Sequence, residues 1–147
     1  MSFEAIPHRL RFFVHPIPLA AVIVMALNDH WLKYSFGNWV TGKLSDFCGL
    51  FYFPIFLLAL AALIDEVFEW RRFKLGPFST VVAIGFSDLL LILVKLSPRM
   101  AETVEIFFNQ YLFRIQLVQD PTDLLALLIN PLTFFYLKNY WAISKVT

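Results

Sequence analysis

The chain has 147 residues, a length that suits one domain. Hydrophobic residues make up 59% of it, including 17 phenylalanines, against roughly 45–50% in ordinary soluble domains, and a soluble fold of this size cannot hide that much apolar surface. The formal net charge of +1 leaves no basic excess to recognise nucleic acid, and the single cysteine, Cys48, excludes an internal disulfide framework.

Residues 1–12 interleave Glu4, His8, Arg9 and Arg11 with Phe3, Ile6, Leu10 and Phe12, the pattern of a short amphipathic lead-in at a membrane surface. The first apolar run then passes into Asn28-Asp29-His30 without a small-residue cleavage site, so it reads as a retained helix from about Val14 to about Tyr34. Its purely apolar part, Ile17 to Leu27, is shorter than the ~20 residues a span needs, so the span takes in the polar residues or starts through Pro16 and Pro18.

Gly37, Asn38, Thr41 and Gly42 mark a loop. The second helix is expected from about Ser45 to Ile64, aromatic in one half, Leu/Ala-rich in the other, and interrupted by Pro54. Asp65 to Lys74 is a charged turn with Arg71 and Arg72. The third helix runs from about Pro77 to Leu96, with Ser87 and Asp88 near its middle, and Ser97-Pro98 ends it.

From Arg99 to Gln119 apolar residues recur at helical spacing, which predicts an interfacial helix with an irregular tail. The fourth helix runs from about Pro121 to Tyr140 and closes on Tyr136, Lys138, Tyr140 and Trp141. Trp31, Trp39, Trp70 and Trp141 read as interface markers.

Seven Lys and Arg residues fall on the side of both termini and five on the other, which points to cytoplasmic termini. The expected location is an integral membrane, the inner membrane if the source is bacterial.

Two stretches look like copies. Pro18 to Asp29 aligns without gaps onto Pro77 to Asp88, with Val22 on Val81. Ser45 to Pro54 aligns onto Thr122 to Pro131, with Asp46 on Asp123 and Leu50 on Leu127. The expected fold is thus an all-α integral membrane protein of one domain, residues 1–147. Four transmembrane helices come from a duplicated two-helix repeat (about 14–64 and 77–140), with an extracytoplasmic interfacial insertion at about 99–119. Such a bundle would set Asp29 opposite Asp88 and Asp46 opposite Asp123.

A carboxylate within a span costs on the order of 2.5–3.5 kcal/mol and normally finds a partner in the bundle interior. Asp29 has Lys33 four residues on, in the favourable order; Asn28 and His30 flank it in the chain. Asp88 has Ser87 beside it, and Lys95 is two turns away. The bland reading is an interhelical hydrogen-bond clasp; the functional one is a proton, cation or small polar ligand site. Asp120-Pro121-Thr122-Asp123 has the form of a helix start, and the alignment gives Asp46 the matching first-turn place.

One histidine among aspartates, with Lys33 and Lys43 close by, does not spell a metal site, and no motif calls for a cofactor. His30, Lys33, Lys43 and Lys95 could instead meet a lipid phosphate, or serve as snorkelling anchors.

Three functional classes remain open: a module that binds or translocates a proton, cation or small polar ligand; an enzyme acting on a lipid headgroup or phosphate at the outer leaflet; and a structural or assembly subunit. The expected partners are the bilayer and either further copies of the chain or a larger membrane complex.

Overall fold

The computed structural model describes residues 8–69, 73–111 and 117–143. The lead-in up to Pro7, Trp70, Arg71, Arg72, Arg114 within the expected irregular tail, and Lys145 lie outside the described residues. Among the described residues every regular element is helical.

A short 3-10 turn, His8–Leu10, precedes the first long helix. That helix is α1, Pro16–Leu27, continued by a π-helical segment, Asn28–Leu32, and by α2, Lys33–Phe36. Pro16 and Pro18 sit near its start, where backbone N–H groups lack helical partners and proline is tolerated. Gly37 ends it with φ +45°, the left-handed conformation that glycine adopts without a Cβ penalty.

The second helix, α3, spans Trp39–Val67, starting six residues before the expected Ser45. Asn38 caps it: Thr41 N donates to Asn38 Oδ1 at 3.0 Å, and Asn38 N donates to Thr41 Oγ1 at 3.1 Å. This reciprocal cap is strong enough to carry Gly42 inside a helix. Pro54 lies within α3 and withholds the N–H that the Leu50 carbonyl would accept.

The third helix, α4, spans Pro77–Leu96, as the sequence suggests at both ends. Next comes α5, Pro98–Tyr111, the expected helix of the insertion. The last helix begins as a 3-10 helix, Pro121–Ile129, and becomes α6, Asn130–Ile143. Pro131 offers no N–H to the Leu127 carbonyl, which instead accepts from Asn130 N three residues away, the 3-10 pattern.

The helix α3 lies at the centre. It touches α1, α4, the 3-10 segment and α6; α4 also packs against the 3-10 segment and α6. The long helices alternate in direction, α1 and α4 against α3 and the last helix. Two of them, α3 and α4, are long and apolar enough to cross a membrane.

Burial runs opposite to that of a soluble protein. Asn28, Thr41, Lys43, Asp65, Thr80, Ser87, Asp123 and Thr133 are buried, while Ile23, Leu63, Phe78, Val81, Phe86 and Leu128 stand exposed on the outer faces. One end is plugged by Phe12, fully buried and edge-on to Trp141 at 5.0 Å and Tyr140 at 5.7 Å. Tyr136 Oη donates to the Phe12 carbonyl at 2.6 Å, and Trp141 Nε1 donates to Thr80 Oγ1 at 3.0 Å. Two expectations change here: the end of the lead-in packs into the bundle, and Trp141 is a core residue, because each finds a hydrogen-bond partner inside.

Candidate functional site

The opposite end gathers the start of α3, the end of α4 and the start of the last helix. Lys43 emerges on the first turns of α3, with 8% of its side chain exposed, and donates to both Asp120 and Asp123. Lys95, near the end of α4, donates to the other oxygen of Asp123 and to the Val118 carbonyl at 3.2 Å. Its Nζ also lies 3.8 Å from Asp46 Oδ1. Asp123 is 7% exposed in its side chain and takes one lysine on each oxygen. An ammonium on each carboxylate oxygen is what makes so much buried charge tolerable.

Asp120 caps the last helix, accepting from Thr122 N at 2.9 Å and Thr122 Oγ1 at 2.7 Å. The hydrogen bond from Lys43, reinforced by those from Thr122, holds its carboxyl well below the usual carboxylate range. The Asp-Pro-Thr-Asp run is thus a helix start, as its sequence suggests. Asp46 is not: with α3 beginning at Trp39, it lies two turns inside the helix, so the first-turn capping role expected for it belongs to Asn38 and Thr41.

A second group lies alongside. Asn28 is fully buried; its Nδ2 donates to the Thr41 carbonyl at 2.7 Å and to Ser45 Oγ at 2.8 Å. Ser45 Oγ donates to Asp29 Oδ1 at 2.6 Å, and Lys33 Nζ donates to the same oxygen at 2.6 Å. These bonds tie the π-helical segment to α3, and the wider turn is what carries Asn28 inward. His30 is exposed.

Asp29 and Asp88 do not face each other. The π-helical segment packs on α3 and not on α4, because α3 stands between them. Asp88 is held instead by Asn130, whose Nδ2 donates to both carboxylate oxygens at 3.0 and 2.9 Å. The side chain of Asn130 therefore serves Asp88, while its backbone N–H serves the Leu127 carbonyl that Pro131 leaves free. Ser87 is buried and donates to the Ala83 carbonyl at 2.7 Å. Asp46 and Asp123 do share one end, with Lys95 between them.

The residues that sequence reasoning missed here are Asp120 as a lysine partner, Ser45, Thr41 and Asn130; Lys95 it placed near Asp88 or a lipid phosphate, not on Asp123. The alternating helix directions already put Lys43, Lys95, Asp46 and Asp123 at one end, and that was the available signal. Among the described residues no group of three or more His, Cys, Asp or Glu side chains is arranged to hold a metal ion. Cys48 is half-buried. The cluster can hold helices together or relay a charge between carboxylates. It offers no nucleophile, base and orienting group in sequence of contact. No protein-family model matches the chain, and neither do curated proteins or solved structures.

Proposed function

We propose that the chain is a multi-pass integral membrane protein with four crossing helices, whose lysine–aspartate cluster is a clasp, so that the protein serves as a structural or assembly subunit in the bilayer. The observation that carries this reading is that the aspartates at issue are met from within the chain: Asp29 by Lys33 and Ser45, Asp46 by Lys95, Asp88 by Asn130, and Asp123 by Lys43 and Lys95. The clasp joins the two helix pairs in both directions, Lys43 of the first to Asp123 of the second and Lys95 of the second to Asp46 of the first.

Membrane residence is supported by the polar interior and apolar exterior. Only 22% of the apolar window of α4 is buried against the rest of the chain, which suits a helix facing lipid rather than the core helix of a soluble protein. The helix from Pro16 to Phe36 is unbroken and reaches roughly 30 Å, the thickness of a hydrocarbon core. The duplication of the helix pairs rests on the register of Pro18 with Pro77 and Asp46 with Asp123. In this reading both termini are cytoplasmic, and α5 lies at the outer surface.

A second reading follows from the 3.8 Å between Lys95 and Asp46, longer than the other contacts of the cluster. Lys95 sits between carboxylates of the two helix pairs, an arrangement in which a proton or cation could exchange.

One pair of measurements separates them. Purified protein in vesicles is assayed for proton and cation flux, and in detergent for melting temperature, as wild type and as Asp46→Asn. The clasp reading predicts no specific flux and a small loss of melting temperature. A flux that Asp46→Asn abolishes would sink it in favour of the second reading.

A further inference from the structure

A groove of 490 Å³ runs down the outside of the bundle between α3 and α4, at the end away from the lysine–aspartate cluster. Leu57 and Ala61 of α3 line one wall, and Phe78, Val82 and Phe86 of α4 line the other. The residues of the α4 wall are more than half exposed, Phe78 at 82%, so nothing among the described residues covers them. The volume falls in the range of small-molecule sites, roughly 300–1,000 Å³.

The mouth of the groove has a different character. Lys74 lies there, exposed, and makes no ion pair among the described residues. Asp65, a carboxylate at this end, is already paired with Arg9, whose Nη1 donates to it at 3.0 Å, and accepts from Phe73 N at 3.0 Å. The start of α4 adds the positive end of a helix dipole next to Lys74. An apolar trough with an exposed lysine at its mouth matches a molecule with an acyl chain and an anionic head.

We propose that this groove is a binding site for one anionic phospholipid of the leaflet on the side of the termini, its acyl chain lying along Leu57, Ala61, Val82 and Phe86 and its phosphate on Lys74. The proposal rests on the membrane reading above. Between two helices that face lipid, the bilayer supplies the chain, and Lys74 selects the head by charge. Ser79 does not compete for the head: its hydroxyl accepts from Gly76 N and donates to the Gly76 carbonyl, both at 2.9 Å.

The test is native mass spectrometry of the full chain in mild detergent, titrated with phosphatidylglycerol and with phosphatidylcholine of the same acyl chains. The expected result is one phosphatidylglycerol held about fivefold more tightly than phosphatidylcholine, the effect of one lysine near an anionic surface. Lys74→Glu should erase that preference, and Val82→Trp, which fills the groove, should weaken both lipids. Equal retention of the two lipids by the wild type, a preference that survives Lys74→Glu, or retention of both lipids that Val82→Trp leaves unchanged, overturns the site. Alkaline extraction of cell membranes separates this from failure of the membrane reading. Release of the chain into the soluble fraction overturns that reading, whereas a chain that stays in the membrane without lipid preference overturns only the groove.

Discussion

At one end of the bundle, Lys43 and Lys95 converge on Asp123 with Asp46 and Asp120 at the edges; at the other, Phe12 is enclosed by Tyr140 and Trp141, with the Arg9–Asp65 ion pair at the rim. Both ends fasten segments far apart in the chain, and both bury polar atoms, but they respond to different stresses. A buried charge network is most sensitive to the loss of one partner, because the remaining charges stay behind in a dry place. An aromatic plug is most sensitive to lost volume, because its neighbours cannot collapse fully into the space. Acid and charge substitutions should therefore loosen one end first, and cavity substitutions the other.

The largest expected effect is Asp123→Ala, which takes the shared buried carboxylate from two lysines that are each about nine-tenths buried, leaving Lys43 with the half-exposed Asp120 and Lys95 with Asp46 at 3.8 Å, and should cost about 3–5 kcal/mol in detergent unfolding. A loss under about 1 kcal/mol would mean that the cluster is hydrated and not a clasp. Phe12→Ala should cost a similar amount, about 3–5 kcal/mol, but with no dependence on pH between 4 and 9, which circular dichroism melts at several pH values would check. Asp65→Asn comes next at about 1–3 kcal/mol: it takes the charge from a buried acceptor of Arg9 and Phe73 N, and faster amide exchange at Phe73 should report it. Smallest is Lys33→Met, which removes an exposed pair one helical turn apart worth about 0.3–0.5 kcal/mol and should be nearly silent in the same melts.

The acid response can be placed by sign. The Asp120 carboxyl titrates lower in the folded chain than its unfolded value of about 3.9, so its contribution is complete above that value and fades as the pH falls further. Protection factors over Thr122–Ile129, which correct for the slower intrinsic exchange in acid, should therefore fall below about pH 4 by more than those around Trp141. An equal fall at both ends would contradict the contrast between them.

Much of the architecture was legible because apolar runs and proline boundaries carry local information: α4 starts at Pro77 and stops before Pro98, as its sequence indicates. The start of α3 was misplaced because Gly37, Asn38, Thr41 and Gly42 resemble a loop, and only the reciprocal bonds of Asn38 and Thr41 turn the last two into helix. The π-helical turn at Asn28 and the 3-10 winding of Pro121–Ile129 leave no periodic signature, since both depend on where distant side chains pull or where a later proline withholds an N–H. The Asp29–Lys33 pair was readable from its spacing alone. Asp88 with Asn130, 42 positions apart, was not, because the pairing needs the register between two helices. The match of Asp29 with Asp88 in sequence did not translate into proximity, since the central place of α3 keeps the first helix away from α4.

The most direct test of the clasp is to remove its three most buried charges together. The variant Lys43→Met/Lys95→Met/Asp123→Leu replaces the buried network by apolar side chains of similar length, and its melting temperature in detergent is compared with those of the wild type and Asp123→Ala. If the cluster serves to hold the helices, the triple variant recovers at least the wild-type melting temperature, since replacing a buried ion network with packed apolar groups is neutral or stabilising by about 1–4 kcal/mol. A triple variant that melts as low as Asp123→Ala would contradict the account.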